Sequence, residues 1–525
     1  MGVVRPMRGA QKTPEETRNV TIKAGSLGDW TPEQIEAAGR EVLALIRDHF
    51  AGIDDTPVTT DISARDLQAL LAAPLPEEPE DFETILADTK TRILPHLTHW
   101  NHPRFYAYFA ITGSAPGFLA DTLASALNVN AMLWKTAPAA SALEQVVLRW
   151  MAEMIGYDPD ADGVLVNGAS LATFYALAAA REAAGLGIRQ HGMAGRDLPV
   201  LRVYCSEHAH SSVDKAVIAL GLGLDNLVKL PGDEHHRLAP ERLAAAVEAD
   251  KAKGYRPLAV VAVAGTTSTG ALDPIDAIGQ VCREHGLWLH VDAAYGGFYN
   301  MVPAVREKAG TFHAADSIVA NPHKGLFTPQ EVTALYCRRK GALADAFSLV
   351  PPYLRTAPDD GAVNYMDFSL QLGRRFRSLT LWWVIRAFGR QGFIARMEHQ
   401  LRLADGLRAR IDAHPDLETV TRSLYPLVCL RAFPHEWRPA WVAAGDQERA
   451  RIKAAVDRFN AALLERVNAT RTHFISHSVV PEGYILRVSI GNIRTTQQHV
   501  DELWQALTNA LASLPRDLAH WLAVQ

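Results

Sequence analysis

What this chain lacks narrows it first. Nowhere do roughly 18 apolar residues run together, the length a helix needs to cross a bilayer, and Met1 to Asn19 is polar throughout. The expectation is a cytoplasmic protein with no membrane partner. Cysteine is scarce: Cys205, Cys282, Cys337 and Cys429 stand far apart with no Cys-x-x-Cys. That excludes a disulfide scaffold or a zinc knuckle and leaves buried apolar thiols as the reading. Long basic runs are missing too. Lys and Arg number 53 against 58 Asp and Glu, a net charge of −5, and Arg374-Arg-Phe-Arg377 is the main local cluster. Nucleic acid is therefore a poor partner. No Gly-x-Gly-x-x-Gly opens a helix after a strand, which argues against a nucleotide-binding dehydrogenase.

What remains is an ordinary globular composition, 48% apolar and 21% charged over 525 residues, enough for about three domains. Residues 1–27 have mixed charge and no periodicity, and read as a loose tail. Residues 28–98 read as a helical arm: Thr31-Pro-Glu-Gln34 is a helix start, Ile35, Val42, Leu43 and Ile46 keep helical spacing, and another helix is expected over 82–94. Residues 99–392 alternate strand and helix signals, which predicts a large α/β domain with a mainly parallel sheet. From 393 to 525 a smaller α/β unit is expected, with strands at 426–430 and 483–489 between helices.

One stretch organises the rest. Ser317-Ile-Val-Ala320 is a short apolar run stopped by Asn321-Pro322, and His323 and Lys324 follow at once, as at the end of a buried strand. A desolvated lysine there loses its charge readily, and its neutral amine can form an imine with a carbonyl. Taken alone, such a lysine is ordinarily a solvated loop residue. Leu287-Trp-Leu-His-Val-Asp292 is a second buried strand, ending in a carboxylate; by itself Asp292 reads equally as a helix cap or an ion-pair partner. Ligands collect at the carboxyl ends of parallel strands, so Asp292 and Lys324 should face one crevice. A carboxylate for a pyridine nitrogen and a lysine for an aldehyde carbon are the requirements of a pyridoxal 5'-phosphate (PLP) site. Val164-Leu-Val166 running into Asn167-Gly-Ala-Ser170 and an alanine-rich helix fits a phosphate cradle, with amides of Ala169 and Ser170; the same pattern also makes an ordinary helix cap. Asp233-Glu-His-His236 holds possible metal ligands without a third at helical spacing, so an exposed loop is expected there and no metal.

Asn321-Pro-His-Lys324, His290-Val-Asp-Ala-Ala-Tyr295 and Ala209-His-Ser-Ser212, in this order and spacing, resemble the PLP-dependent group II amino acid decarboxylases, the family of aromatic-L-amino-acid decarboxylase. The resemblance runs from about Gly28 almost to the C-terminus. It implies a fold type I PLP enzyme whose helical arm lies across a partner subunit in a homodimer. It also implies roles: Lys324 carries the cofactor, Asp292 pairs with its ring nitrogen, and His210 stacks on the ring. Ala169, Ser170, Thr267, Ala294, Asn321 and His323 complete the cofactor shell. Tyr108 and Phe109 would line the substrate pocket, and Arg374 would take the substrate carboxylate; the cluster also reads as a solvated helix start, to which Arg375 or Arg377 could belong, so which of the three meets the carboxylate stays open. The Pro- and Gly-bearing stretch 349–361 reads as a lid, and its Tyr353 matches a tyrosine proposed to return a proton.

The implied activity is decarboxylation of an L-amino acid, most simply an aromatic one. Family members that make aldehydes with oxygen commonly carry phenylalanine where Tyr353 stands. Gly325 after the lysine, Asn130, Met132 and Ile111 depart from the animal enzyme and keep an acidic substrate such as glutamate or cysteine sulfinate open. Transamination, aldol-type cleavage and decarboxylation-dependent oxidative deamination are rival reactions on the same fold.

Overall fold

In the computed structural model, residues 23, 25, 27–349 and 361–523 are described, in two compact units that part between His99 and Trp100. Among the described residues the first holds the α-helices α1 (Pro32–Ala51), α2 (Ala64–Leu71) and α3 (Phe82–Asp88). The Thr31 hydroxyl accepts from Gln34 N–H while Gln34 returns the bond to Thr31 N–H, and Pro32 occupies the first helical position, as the start signal predicts. The helix expected over 82–94 keeps α-geometry only to Asp88 and then widens into a π-turn at Thr89–Ile93. Trp30 meets Phe82 edge-on at 5.8 Å in a small core with Ala38.

The second unit opens with α4 (Ala115–Leu127) and α5 (Pro138–Ile155). It continues with β1 (Asp162–Val166), α6 (Ala169–Ala183), β2 (Leu201–Ser206), α7 (Ser212–Ala219), β3 (Leu227–Leu230) and α8 (Pro240–Ala252). Next come β4 (Arg256–Val263), α9 (Ile275–His285), β5 (Trp288–Asp292), α10 (Pro303–Ala309), β6 (Ser317–Ala320) and β7 (Thr333–Cys337). The seven strands lie in the order β1-β7-β6-β5-β4-β2-β3, with β7 the strand that runs against the others. β4 and β5 are almost wholly buried, and their continuous Val, Ala and Leu runs reflect a sheet covered on both faces. The covering is done in part by α6, whose alanines let it lie close against the strands.

The long helix α11 (Arg377–Ala413), bent at Gly389, passes through residue 393, where the sequence suggests the smaller unit begins. Beyond it β8 (Leu417–Arg422), β9 (Leu427–Ala432), β10 (Ser476–Val480) and β11 (Gly483–Ser489) form an antiparallel sheet in the order β10-β11-β9-β8. Helices α12 (Asp446–Ala469) and α13 (Gln497–Ala512) pack on it around a separate core that includes Trp437, Phe459 and Leu503. All four cysteines are free and buried. Among the described residues no helix is long and apolar enough to cross a membrane.

Candidate active site

Register places the strand ends level. Val263 of β4 pairs with Asp292 of β5, which pairs with Val319 of β6; Ala320 faces Ala334 of β7, and the next β7 residue toward the edge, Thr333, faces Val166 of β1. The turns that leave β1, β4, β5 and β6 therefore open on one edge of the sheet, which is where the sequence concentrates its polar residues. Asn321 follows β6 and its Oδ1 accepts the Thr333 hydroxyl at 2.7 Å, tying the turn to β7. Pro322 begins a helical turn, Pro322–Gly325, which carries Lys324. His323 is buried with Nδ1 2.7 Å from Val332 O, and burial first, then the Lys324 charge, pulls it down to about 4, so it is a neutral brace beneath that turn.

Lys324 Nζ lies over the Phe109 ring, 4.9 Å from its centroid, and Phe109 stacks on Tyr295 at 3.9 Å. Burial lowers the Lys324 pKa; Asp292 opposes the shift and the Arg487 cation adds to it. Asp292 is 7% exposed and its Oδ1 accepts the Ala294 N–H at 3.1 Å. His210 is more open, and its Nδ1 accepts the Ser212 N–H at 3.1 Å, which leaves Nε2 to carry the proton of the neutral ring. Its pKa is lowered by burial, raised by Asp292 and lowered by Lys324, so these three groups share one electrostatic environment. Thr267 is half-buried in the turn after β4, whereas Thr266 is held inside that turn by Thr269 (2.7 Å) and Ala271 N–H (2.9 Å).

At the start of α6, Gly168 sits at φ +86°, ψ 151°, with no side chain capping the helix and open space where a Cβ would stand. Ala169 and Ser170 lie in the first turn, where unpaired amides and the helix dipole favour an anion.

Arg374 corrects its expectation. Its side chain is 1% exposed and its guanidinium faces protein acceptors: Nη2 donates to Glu144 Oε1 (2.5 Å) and Leu165 O (2.9 Å), and Nη1 to Ala131 O (3.0 Å). A fork buried this deeply and turned toward protein acceptors is not presented to a substrate carboxylate. Arg375 pairs with Asp121 at the surface, while Arg377 is half-buried and bonds Glu331 O (3.1 Å) and Asn167 Oδ1. Tyr108 is 52% exposed and stacks on Trp100 at 5.6 Å. His236, expected in an exposed loop, is buried 5.1 Å from His208. Tyr353 lies outside the described residues.

The cation missed in the sequence is Arg487. It comes from β11, is 3% exposed, lies 5.4 Å from the Phe109 ring, and donates to Ser268 O (3.1 Å) and Ser476 Oγ (2.9 Å). The signal was available: an arginine inside the apolar run Gly483–Ser489 is buried only where something pairs with it. Among the described residues, one His and carboxylate group has metal-ligand spacing, Asp416, His435 and Glu436, and Arg516 already bonds both carboxylates.

Comparison with known proteins decides what this arrangement is. Residues 65–433 match the model of the pyridoxal-dependent decarboxylase conserved domain. The chain belongs to that family. It is 33% identical over 493 residues to aromatic-L-amino-acid decarboxylase of Sus scrofa, covering 91% of this chain and 96% of that one. It is 32% identical over 486 residues to phenylacetaldehyde synthase of a Rosa hybrid cultivar, covering 91% and 93%. A crystal structure of Oryza sativa TDC with PLP and tryptamine superposes with a TM-score of 0.85 at 29% identity, covering 92% of this chain and 98% of that chain. The protein is thus a PLP-dependent decarboxylase-family enzyme of fold type I. Its residues fit the cofactor: an uncapped helix start behind an open Gly168, a buried carboxylate, and a desolvated lysine, at one sheet edge.

Proposed function

We propose that this enzyme removes the α-carboxyl group of an aromatic L-amino acid and releases the amine and CO2, acting as a cytoplasmic homodimer. The observation that carries the reading is the wall beside Lys324 Nζ, formed by the buried Phe109 ring with Tyr295 stacked on it and the Arg487 guanidinium near the same ring. Such a wall suits a flat apolar side chain. The similarity to the Sus scrofa aromatic-L-amino-acid decarboxylase supports the same substrate class.

When bound, PLP supplies an aldehyde that condenses with amines and a ring that accepts the electron pair left at Cα as CO2 departs. The protein's part is to hold and orient. Lys324 offers an amine whose charge burial disfavours, so it yields the neutral form more readily than a lysine in water. Asp292 keeps a proton on the ring nitrogen, Ala169 and Ser170 hold the phosphate, and Thr267, Ala294, Asn321 and His323 shape the ring's bed. His210 would lie against the ring, and its Nδ1, occupied by the Ser212 N–H, leaves the proton of the neutral imidazole on Nε2. Tyr108 and Phe109 bound the substrate side chain, and Tyr353 or His210 returns a proton to Cα.

Two features support the dimer and the compartment. Within the first unit Ile35, Val42, Leu43, Leu71, Ile85 and Ile93 are at least 40% exposed, an apolar surface suited to a second copy. The four buried, unpaired thiols suit a reducing compartment. The test uses the full chain with PLP and L-Trp, L-Tyr, L-Phe, L-Dopa, L-Glu and cysteine sulfinate, measuring CO2, amine, aldehyde and peroxide. Borohydride is expected to fix the cofactor to Lys324, and an aromatic acid to give amine matching the CO2. Aldehyde and peroxide in that amount would instead assign the synthase reaction; CO2 from the acidic substrates alone would overturn the aromatic assignment.

A further inference from the structure

Among the described residues β1 is an edge strand: β7 lies on one side of it and no strand on the other. An edge leaves backbone N–H and C=O groups to be satisfied by something else. At Leu165 both are taken by one buried ion pair. Leu165 N–H donates to Glu144 Oε1 at 2.9 Å, and Leu165 O accepts from Arg374 Nη2 at 2.9 Å. Glu144 on α5 and Arg374 bond each other at 2.5 Å with side chains 2% and 1% exposed, so together they stand in for a neighbouring strand. Arg374 also holds the 130–131 turn: Nη1 donates to Ala131 O, its backbone N–H donates to Asn130 Oδ1 (3.0 Å), and its carbonyl accepts from Ala131 N–H (2.9 Å). The Tyr365 ring covers the guanidinium at 4.7 Å.

Burying two charges is a poor route to stability, because desolvation cancels most of their attraction and an apolar pair would serve as well. What the pair supplies is placement. Two residues beyond Leu165 the chain reaches Asn167, whose Oδ1 accepts from Arg377, and then Gly168, Ala169 and Ser170. We propose that Glu144 and Arg374 are positioning residues for the cofactor phosphate, setting the end of β1 so that the amides of the 167–170 turn converge on it. The proposal rests on the assignment of that turn to the phosphate. It predicts an effect confined to ligands that carry a phosphate, since the pair offers no group to the substrate.

The test titrates the full-length apo protein with PLP and with pyridoxal, which has no phosphate, and follows the visible band that appears on binding. Arg374→Lys keeps the buried charges paired but cannot reach three acceptors, so it is the variant best placed to fold; Glu144→Gln is the second. In both, the Kd for PLP is expected to rise at least about ten-fold while that for pyridoxal changes less than about two-fold, with substrate KM at saturating PLP within about two-fold. Equal weakening of PLP and pyridoxal would reduce the pair to a general structural role, and unchanged PLP affinity would end the proposal. A raised substrate KM with unchanged PLP affinity would return Arg374 to the substrate carboxylate. Ala169→Asp separates the two layers, because its carboxylate suits a helix start yet repels a phosphate. Its loss of the preference for PLP over pyridoxal confirms the cradle; if the preference survives there, the phosphate assignment fails, whereas loss in Ala169→Asp with none in the pair variants refutes the positioning role alone.

Discussion

A single methyl added at Gly296 should disturb the whole sheet edge. An ideal Cβ at this residue would lie 2.4 Å from both Cζ and Oη of Tyr425 and 2.5 Å from Ala264 O, against the roughly 3.5 Å that carbon contacts require. The glycine is buried and its φ of −78° suits any residue, so the conflict is one of space rather than backbone strain. Tyr425 is fully buried against Tyr295 and Tyr299 and has little room to retreat. Ala264 O accepts the Gly296 N–H at 3.0 Å, a bond that would lengthen as the chains separate. Overpacking of this kind costs about 1–3 kcal/mol and the weakened bond about 1 more, so Gly296→Ala should lose about 2–4 kcal/mol. The displacement also moves chemistry, since Asp292 lies just upstream of Gly296 and Thr267 just downstream of Ala264. A shift of about 1 Å there should lower kcat on the order of 100-fold. Urea unfolding and steady-state turnover of the holoenzyme read both effects. Gly406→Ala is the matched control: it lies on α11 with open space at its Cβ and should gain about 1 kcal/mol. If Gly296→Ala unfolds and turns over like the native enzyme, the packing of the 292–297 turn described above is wrong.

Two further predictions concern charge. Asp292→Asn removes the carboxylate that favours a protonated ring nitrogen, a group interaction of about 1–3 pH units, and should lower kcat by roughly 10- to 1000-fold. Because Asp292 also raises the His210 pKa, a kinetic limb set by His210 should move to lower pH in that variant; an unchanged rate and an unmoved limb would remove Asp292 from the site. Acid should weaken the fold through its buried histidines, against the opposing effect of buried Asp273, whose carboxyl is raised to about 6. Burial holds His290 and His323 at about 4 in the folded protein, so between there and about 6.5 the unfolded chain binds more protons and stability falls as pH falls. Each contributes at most about 3 kcal/mol across that window. A urea midpoint that stays flat from pH 6.5 to 4.5 would contradict the burial of both rings.

Much of this was legible in the chain. The start of α1, the apolar runs of β4, β5 and β6, and the strands expected at 426–430 and 483–489, which form at 427–432 and 483–489, follow from local periodicity and capping. Asp292, Asn321 and Lys324 announced themselves because each ends or follows a strand too apolar to be exposed. The strands β8 and β10 were not legible: Leu417–Arg422 and Ser476–Val480 mix polar residues throughout, and only pairing with β9 and β11 makes them strands.

Arg374 and Arg487 mark the division most clearly. Residue type and spacing determined that the chain carries cations near a lysine, a carboxylate and a glycine-bearing helix start, because those side chains and that backbone freedom are needed wherever the chain goes. Which cation faces which partner was decided by tertiary structure. Arg374 is claimed by Glu144 from another helix and by the open edge of β1, while Arg487 arrives beside Phe109 from the second sheet. A buried guanidinium is governed by the acceptors that surround it, and most of those come from segments more than a hundred residues away along the chain.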